Sequence, residues 1–296
     1  MPKSQNVNLP HAEIGILGGT GLYEIDGIEA VTEISLETPF GKPSDNYVLG
    51  KLEGKKVAFL SRHGRGHRFL PAEINYRANI YGFKILGVER LISANSCGSL
   101  KEEIKPRDIV FSDQFFDRTR RKNTFFGEGA AAHIGFAHPV CDELSGALYE
   151  AGASLGIRVH KGGTYICIEG PSFSTIAESR IYRSWGCDVI GMTSATEAKL
   201  SREAEICYAT MSLVTDYDVW HEIEETVSVE LILENMRQNI DHAKSIIKKT
   251  LAGLPSTRSG ACDCAQAVKN CIVTRPDLIS EATKSKLYPI IGKYLD

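Results

Sequence analysis

Apolar residues recur along this chain with two alternating periods, and the alternation defines its architecture. Short runs of period two or of continuous apolar character occur at Ile14–Leu22, Val31–Leu36, Tyr47–Leu52, Val57–Ser61, Val88–Ala94, Ile109–Phe111, Val159–Ile168, Asp188–Met192 and from Ile206 onward. Each predicts a strand. Between them, apolar positions three or four apart predict helices over Ala72–Leu86 (Ile74, Ala78, Tyr81, Ile85), Cys141–Leu155 and Ser228–Leu251 (Ile232, Met236, Ile240, Ala243, Ile247). Thr175 with Glu178, and Ser194 with Glu197, match the capping-box spacing and predict two further helix starts. The early runs, separated by turns at 39–45 and 53–54, predict an antiparallel meander at one side. Strand–helix alternation over residues 72–252 predicts an α/β domain: a central mixed, largely parallel sheet flanked by helices in three layers. Gly253–Gly260 is a linker pattern, so the expected division is a domain over 12–254 and a tail over 255–296 with a short helix near Glu281–Leu287.

Composition narrows the class without choosing a function. With 296 residues, 43% hydrophobic and 24% charged, the chain can bury a substantial core. A net charge of −3 gives no electrostatic case for nucleic acid or a membrane surface. The basic run Arg118, Arg120, Arg121, Lys122 is expected to be a solvated loop within the irregular stretch Asp113–His138. The first residues lack an apolar leader core and no window approaches a membrane span, so a cytoplasmic location is expected. Of eight cysteines, five (Cys97, Cys141, Cys167, Cys187, Cys207) sit in or beside apolar segments and read as buried free thiols. The tail adds Cys262, Cys264 and Cys271. Three thiols fall short of the four ligands of a structural zinc site, so a tail thiol pair or disulfide is expected there and no metal.

Several strands end in chemically equipped segments. Gly18-Gly19-Thr20-Gly21 follows the first, and such a turn exposes backbone N–H groups to an anion. Another ends in Arg62-His63-Gly64, an anion clamp, and a third in Asn95-Ser96-Cys97-Gly98. Met192-Thr193 precedes a helix N-terminus, a natural phosphate seat. The run Ile206–Trp220 ends in Asp216-Tyr217-Asp218, two acids on one face if the strand stays extended. Such acids suit a metal, an acid/base pair, or a ligand edge rich in N–H groups. His63 and His67 are four apart, but the intervening glycines oppose the helix a metal pair would need.

This set, with GGTGL, TPFGKPSD, SRHGRGH, EGPSFST and TDYDVW, resembles the methylthioadenosine phosphorylases of the trimeric purine nucleoside phosphorylase family over about residues 12–254. The resemblance implies phosphorolysis of S-methyl-5′-thioadenosine to adenine and 5-methylthioribose 1-phosphate. It implies phosphate contacts from Thr20, Arg62, His63, Asn95, Ser96 and Thr193, with Met192 on the ribose. Ser174, Asp216, Tyr217 and Asp218 would contact the base, Val229 the 5′-methylthio group, and His133 the site of a neighbouring subunit. Inorganic phosphate is then a co-substrate, no cofactor or metal is needed, and the expected assembly is a homotrimer or a dimer of trimers. Residue chemistry points the same way. An adenine edge offers a donor at N6 and an acceptor at N7, which a protonated Asp216 can match, whereas a 6-oxopurine suits an Asn amide better. Holding that proton near neutral pH means a pKa about 3 units above the usual 3.9. The rival within the fold is a phosphorylase of methylthioinosine or other 6-oxopurine nucleosides. A nicotinamide-dependent oxidoreductase built on GILGGTGL is a remote alternative, since no catalytic Tyr/Lys pair accompanies the glycines, and a non-catalytic scaffold would leave the polar strand ends without a purpose.

Overall fold

A computed structural model describes residues 9–19, 22, 25–221 and 229–295, the side chains of 229–232 excepted. It contains one mixed sheet of eleven strands: β1 (Ile14–Gly18), β2 (Glu29–Ile34), β3 (Tyr47–Leu52), β4 (Lys55–Ser61), β5 (Arg90–Ser99), β6 (Ile109–Phe111), β7 (Gln114–Asp117), β8 (Val159–Lys161), β9 (Thr164–Cys167), β10 (Val189–Gly191) and β11 (Cys207–Asp216). Six α-helices cover it: α1 (Tyr76–Ile85), α2 (Asp142–Ser154), α3 (Ile176–Ser184), α4 (Ser194–Glu203), α5 (Val229–Gly253) and α6 (Glu281–Ile291). The path β2-β3-β4-β1-β5-β10-β9-β7 is continuous, and β11 pairs with both β5 and β6. The expected meander is the antiparallel edge β2-β3-β4.

Strands β1, β4, β5 and β11 run parallel and carry the chemistry. They are buried on both faces, as a covered parallel sheet requires: all five residues of β1 and all ten of β11 are buried. Because they run together, their C-terminal ends gather Gly18, Ser61, Ser96–Ser99 and Asp216 along one rim. Ligands of open α/β sheets bind at such rims.

Three local expectations change. The run Val159–Ile168 divides into β8 and β9 because Gly162 and Gly163 adopt positive φ (80° and 110°), which turns the chain between them. Residues 114–117, expected within an irregular loop, form β7 beside β9. Asn95-Ser96-Cys97-Gly98, expected to follow a strand ending at Ala94, remains within β5, paired with β11 through Gly98.

The tail packs onto the domain. Leu287, Ile290 and Ile291 of α6 join the core that contains Tyr81 and Phe83, while Cys264 joins the one formed by α2, β11 and α5. The Tyr81 hydroxyl donates to the Lys286 carbonyl at 3.0 Å. Among the described residues no helix is long and apolar enough to cross a membrane.

Candidate active site

The acid end of the rim is built by an irregularity. Register between β11 and β5 is regular from Cys207 to Val214, then shifts so that Asp216 rather than Thr215 opposes Gly98. A bulge of this kind re-aims the side chain that follows it. Helix α5 holds it in place: Asn235 donates to the Thr215 carbonyl at 2.7 Å and Asn239 to the Val214 carbonyl at 2.8 Å. The two acids do not share a face through continued extension. Asp218 instead takes φ 55°, and its N–H donates to Asp216 Oδ1 at 2.8 Å, folding one acid back toward the other. The Thr215 hydroxyl donates to Asp216 Oδ2 at 2.6 Å.

Both acids are buried, each 8% exposed. Asp218 has its pKa pushed up to about 6, first by burial and further by the Asp216 charge, against the nearby Ser179 hydroxyl. A raised affinity for a proton is thus present within the acid pair, at Asp218. Gly98 is required beside them: a Cβ there would lie 2.9 Å from Asp216 Oδ1 and 3.3 Å from Asp218 Cβ. Tyr217 packs in an apolar cluster with Trp220, Ile190 and Tyr182, and its ring stacks on His221 at 4.5 Å. Trp220 is tied to β5 by a 2.7 Å bond to the Ser99 carbonyl.

The other end of the rim centres on Arg62. Its backbone N–H donates to the Gly18 carbonyl, which ties the strand end to the Gly-rich turn. Its guanidinium is 2% exposed and held by protein groups: the Glu197 carboxylate through Nε and Nη2, the Ala94 carbonyl at 2.9 Å and Ser93 Oγ at 2.7 Å. Glu197, fully buried, also accepts from Ser93 and Tyr208. The second capping box therefore does not form. Thr193 rather than Ser194 is the N-cap of α4, with no side-chain cap bond, and the Glu197 carboxylate expected to reach back to Ser194 is paired with Arg62. Thr175 and Glu178 do form the box expected at α3.

Asn95 donates to Ser194 Oγ at 2.9 Å and Thr210 Oγ1 at 2.8 Å, which joins β5 to the start of α4. Ser96 is exposed and shares a face of β5 with Gly98, about 7 Å further along at the usual strand rise. His63 Nδ1 lies 2.8 Å from the Phe69 carbonyl and must carry the proton, since a carbonyl only accepts. Burial, then the Arg62 charge, lower the His63 pKa to about 4, so Nε2 presents a lone pair at neutral pH. His67 stacks on it at 4.2 Å.

Arg121, expected in a solvated loop, is instead an anchor with a side chain 6% exposed. It pairs with Glu169 at 2.9 Å and donates to the carbonyls of Glu169 and Met192 and to the Tyr76 hydroxyl. Met192 packs on Gly170, where an added Cβ would lie 2.5 Å from the thioether sulfur. Ser174 is buried, and its hydroxyl, Asn95 Oδ1 and Asp218 Oδ2 have no hydrogen-bond partner of standard geometry among the described residues. Native proteins rarely leave such groups unpaired without a ligand or water to meet them.

Some expected residues are not brought into this set. Thr20 lies outside the described residues, and Val229 opens α5 with its side chain likewise undescribed. His133 is exposed on the loop between β7 and α2, where its N–H donates to the Cys271 carbonyl of the tail. Arg121, Glu197, Gly98 and the two asparagines of α5 were not signalled as site residues. Glu197 carried a signal, a capping box, that pointed elsewhere.

The geometry defines a class that comparison with known proteins identifies. A family model described as the phosphorylase superfamily matches residues 13–252, and the chain belongs to that family. Among curated relatives, the S-methyl-5′-thioadenosine phosphorylase of Koribacter versatilis is 54% identical over 284 residues, covering 96% of this chain and 97% of the relative. The protein of the same name from Gloeobacter violaceus is 53% identical over 293 residues, with 97% and 98% covered. A methylthioadenosine phosphorylase from an Antarctic soil metagenomic library has a crystal structure that superposes with a TM-score of 0.90 at 45% identity, covering 95% of this chain and 99% of that one.

Proposed function

We propose that this protein is an S-methyl-5′-thioadenosine phosphorylase, a pentosyltransferase that cleaves its nucleoside with inorganic phosphate to give adenine and 5-methylthioribose 1-phosphate. The carrying observation is the buried acid pair Asp216–Asp218 folded against Gly98 at the rim of the parallel strands. An acid pair holding one proton can accept from adenine N6 and deliver the proton to N7, which neutralises the departing base. The proton belongs to the pair rather than to one residue, since like charges this close titrate together. Asp216 faces the base and Asp218 supports its protonation; Ser174 and Tyr217 complete the base end.

The phosphate end is His63, Asn95, Ser96 and Thr193, together with Thr20 and the charge of Arg62. The uncapped start of α4 offers its first N–H groups to the anion. Neutral His63 accepts the proton of monohydrogen phosphate through Nε2, so the anion's unprotonated oxygens face the positive partners. Phosphate then steadies the cationic C1′ as the glycosidic bond breaks and forms the new C1′–O bond from the opposite side. Met192, held by Arg121, packs against the ribose. No metal or organic cofactor takes part in these steps.

Val229 is assigned to the 5′ group, where an apolar side chain favours a methylthio group over a hydroxyl by roughly 1–3 kcal/mol. His133 is assigned to a neighbouring subunit's site, in a homotrimer or a dimer of trimers. Phe116 and Trp185, exposed with their rings 5.4 Å apart, and the exposed Ile181 one turn before Trp185 on α3 form an apolar patch suited to subunit packing.

The test follows free adenine from methylthioadenosine with and without phosphate, beside methylthioinosine as competitor. Phosphate-dependent adenine release is expected, with the 6-oxopurine nucleoside much slower. Asp216→Asn should reverse the preference between the two bases. Adenine release that ignores phosphate would remove the reading.

A further inference from the structure

Two cysteines of the domain and two of the tail, far apart in sequence, meet in space. Cys141 precedes α2, Cys207 opens β11, and Cys262 and Cys264 lie at the short 3-10 turn of the tail. Their four sulfurs all lie within 4.8 Å of one another. Cys262 Sγ is 3.4 Å from Cys207 Sγ and 3.8 Å from Cys141 Sγ. Tetrahedral zinc with Zn–S bonds of about 2.3 Å places its sulfurs about 3.8 Å apart along each edge. A disulfide needs about 2.05 Å, and all four thiols are free.

We propose that Cys141, Cys207, Cys262 and Cys264 form a structural tetrathiolate site for a zinc ion. Four protein ligands close the coordination sphere, so the site is structural and leaves no position for substrate. Binding converts four thiols to thiolates and releases their four protons. The metal–sulfur group then carries a net charge of −2, and Arg202 Nη1 stands 3.8 Å from Cys264 Sγ to offset part of it. Cys271 is outside the set, since its thiol points to the carbonyls of Ala267 and Lys269. The count that argued against zinc from the tail alone thus changes once the fold supplies Cys141 and Cys207.

The ligands define the purpose of the site. It fastens the start of the tail to α2 and β11 across sequence separations of 121 and 55 residues respectively. Beyond that point the tail pairs with the loop at residues 131–133: Val273 donates to the Ala131 carbonyl, Ile272 bridges Ala132, and the His133 N–H donates to Cys271. The zinc site holds the tail in register with the loop that presents His133.

The test is metal analysis of the full chain, produced in zinc-supplemented medium and purified without chelator, together with its intact mass under native and denaturing conditions. One zinc per chain is expected, retained on dialysis. It should be lost in Cys207→Ser and in the double variant Cys262→Ser/Cys264→Ser, and kept in Cys271→Ser. Cobalt in place of zinc should give the visible bands of a tetrahedral thiolate. A zinc-free chain lighter by two or four hydrogens would show disulfides instead. A zinc-free chain of full mass that gives no cobalt bands would show plain thiols. Either result overturns the proposal, and neither depends on catalysis.

Discussion

Helices α3 and α4 begin with the same pattern, a hydroxyl residue followed three positions later by a glutamate, and they present opposite electrostatics to the rim. At α3 the carboxylate stays home: Glu178 accepts from the N–H and hydroxyl of Thr175, satisfying the orphan donors and opposing the positive end of the helix. At α4 the carboxylate crosses the core to Arg62, and the first turn keeps its donors. The difference matches what each helix faces. Ser179 and Glu178 of α3 stand by Asp218, and the Glu178 charge adds to the forces that keep a proton there. The start of α4 stands by Asn95 and Thr193, where the proposed function requires an anion. One rim therefore holds a proton-keeping end and an anion-receiving end, made from two copies of one motif.

The largest way to break the contrast is to remove the partner that draws Glu197 away. Glu197→Gln leaves Arg62 buried and uncompensated, which typically costs about 3–5 kcal/mol. Chemical denaturation of the variant should show that loss, with a substantial fall in phosphorolysis alongside it. A variant of wild-type stability would mean that the pair is replaceable and that Arg62 is not positioned by it.

The second test acts on the donors left over. Thr193→Val keeps the shape and removes the hydroxyl. A hydrogen bond to a charged group contributes about 1.5–3 kcal/mol, so kcat/KM for phosphate should fall roughly ten- to hundredfold while nucleoside affinity changes little. An equal loss for both substrates would place Thr193 elsewhere in the reaction.

The third acts on the proton. The Asp218 pKa is raised to about 6, so the folded protein binds this proton more tightly than the unfolded chain does. Its contribution favours folding at low pH and is lost as pH rises from about 4 through 6. For catalysis the sign is the same: kcat/KM should fall on an alkaline limb beginning near pH 6 as the pair loses its shared proton. His63, neutral down to about pH 4, sets the acid limb. In Asp218→Asn the alkaline limb should move or vanish, and a limb unchanged in that variant would assign it to phosphate instead.

Much of this was legible in local pattern because strands and their ends are local. The parallel strands, the acids at the end of β11 and the arginine after β4 are each a short run with its own period or chemistry. What was hidden depended on distant partners. Glu197 has the spacing of a cap, and only the fold brings Arg62 within reach of its carboxylate. Arg121 sits in a basic run that reads as solvated, and its burial follows from Glu169 and Tyr76, about 45 or more positions away. The cysteine cluster was missed for the same reason, its members being close only after β11 is placed beside α2. The bulge at Thr215 is fixed by Asn235 and Asn239, which in the sequence are polar positions of an amphipathic helix and nothing more.

The smallest effect belongs to the ordinary member of the pair. Thr175→Ala removes the side-chain half of the α3 cap, and such losses cost about 1 kcal/mol. The midpoint of thermal unfolding should drop slightly, with kcat/KM for both substrates within about twofold of wild type, a small energetic effect. The reason is geometric: Thr175 caps its own helix and touches neither acid nor anion seat, so its hydroxyl matters to α3 alone. Placed beside Thr193→Val, the comparison separates two hydroxyls at equivalent helix positions. Under the proposed function one stabilises the fold and leaves the chemistry intact, whereas the other adds little to the fold and is the one assigned to phosphate. A large activity loss in Thr175→Ala would mean that α3 must be rigid for Asp218 to keep its proton, which would show as a displaced alkaline limb in the same variant.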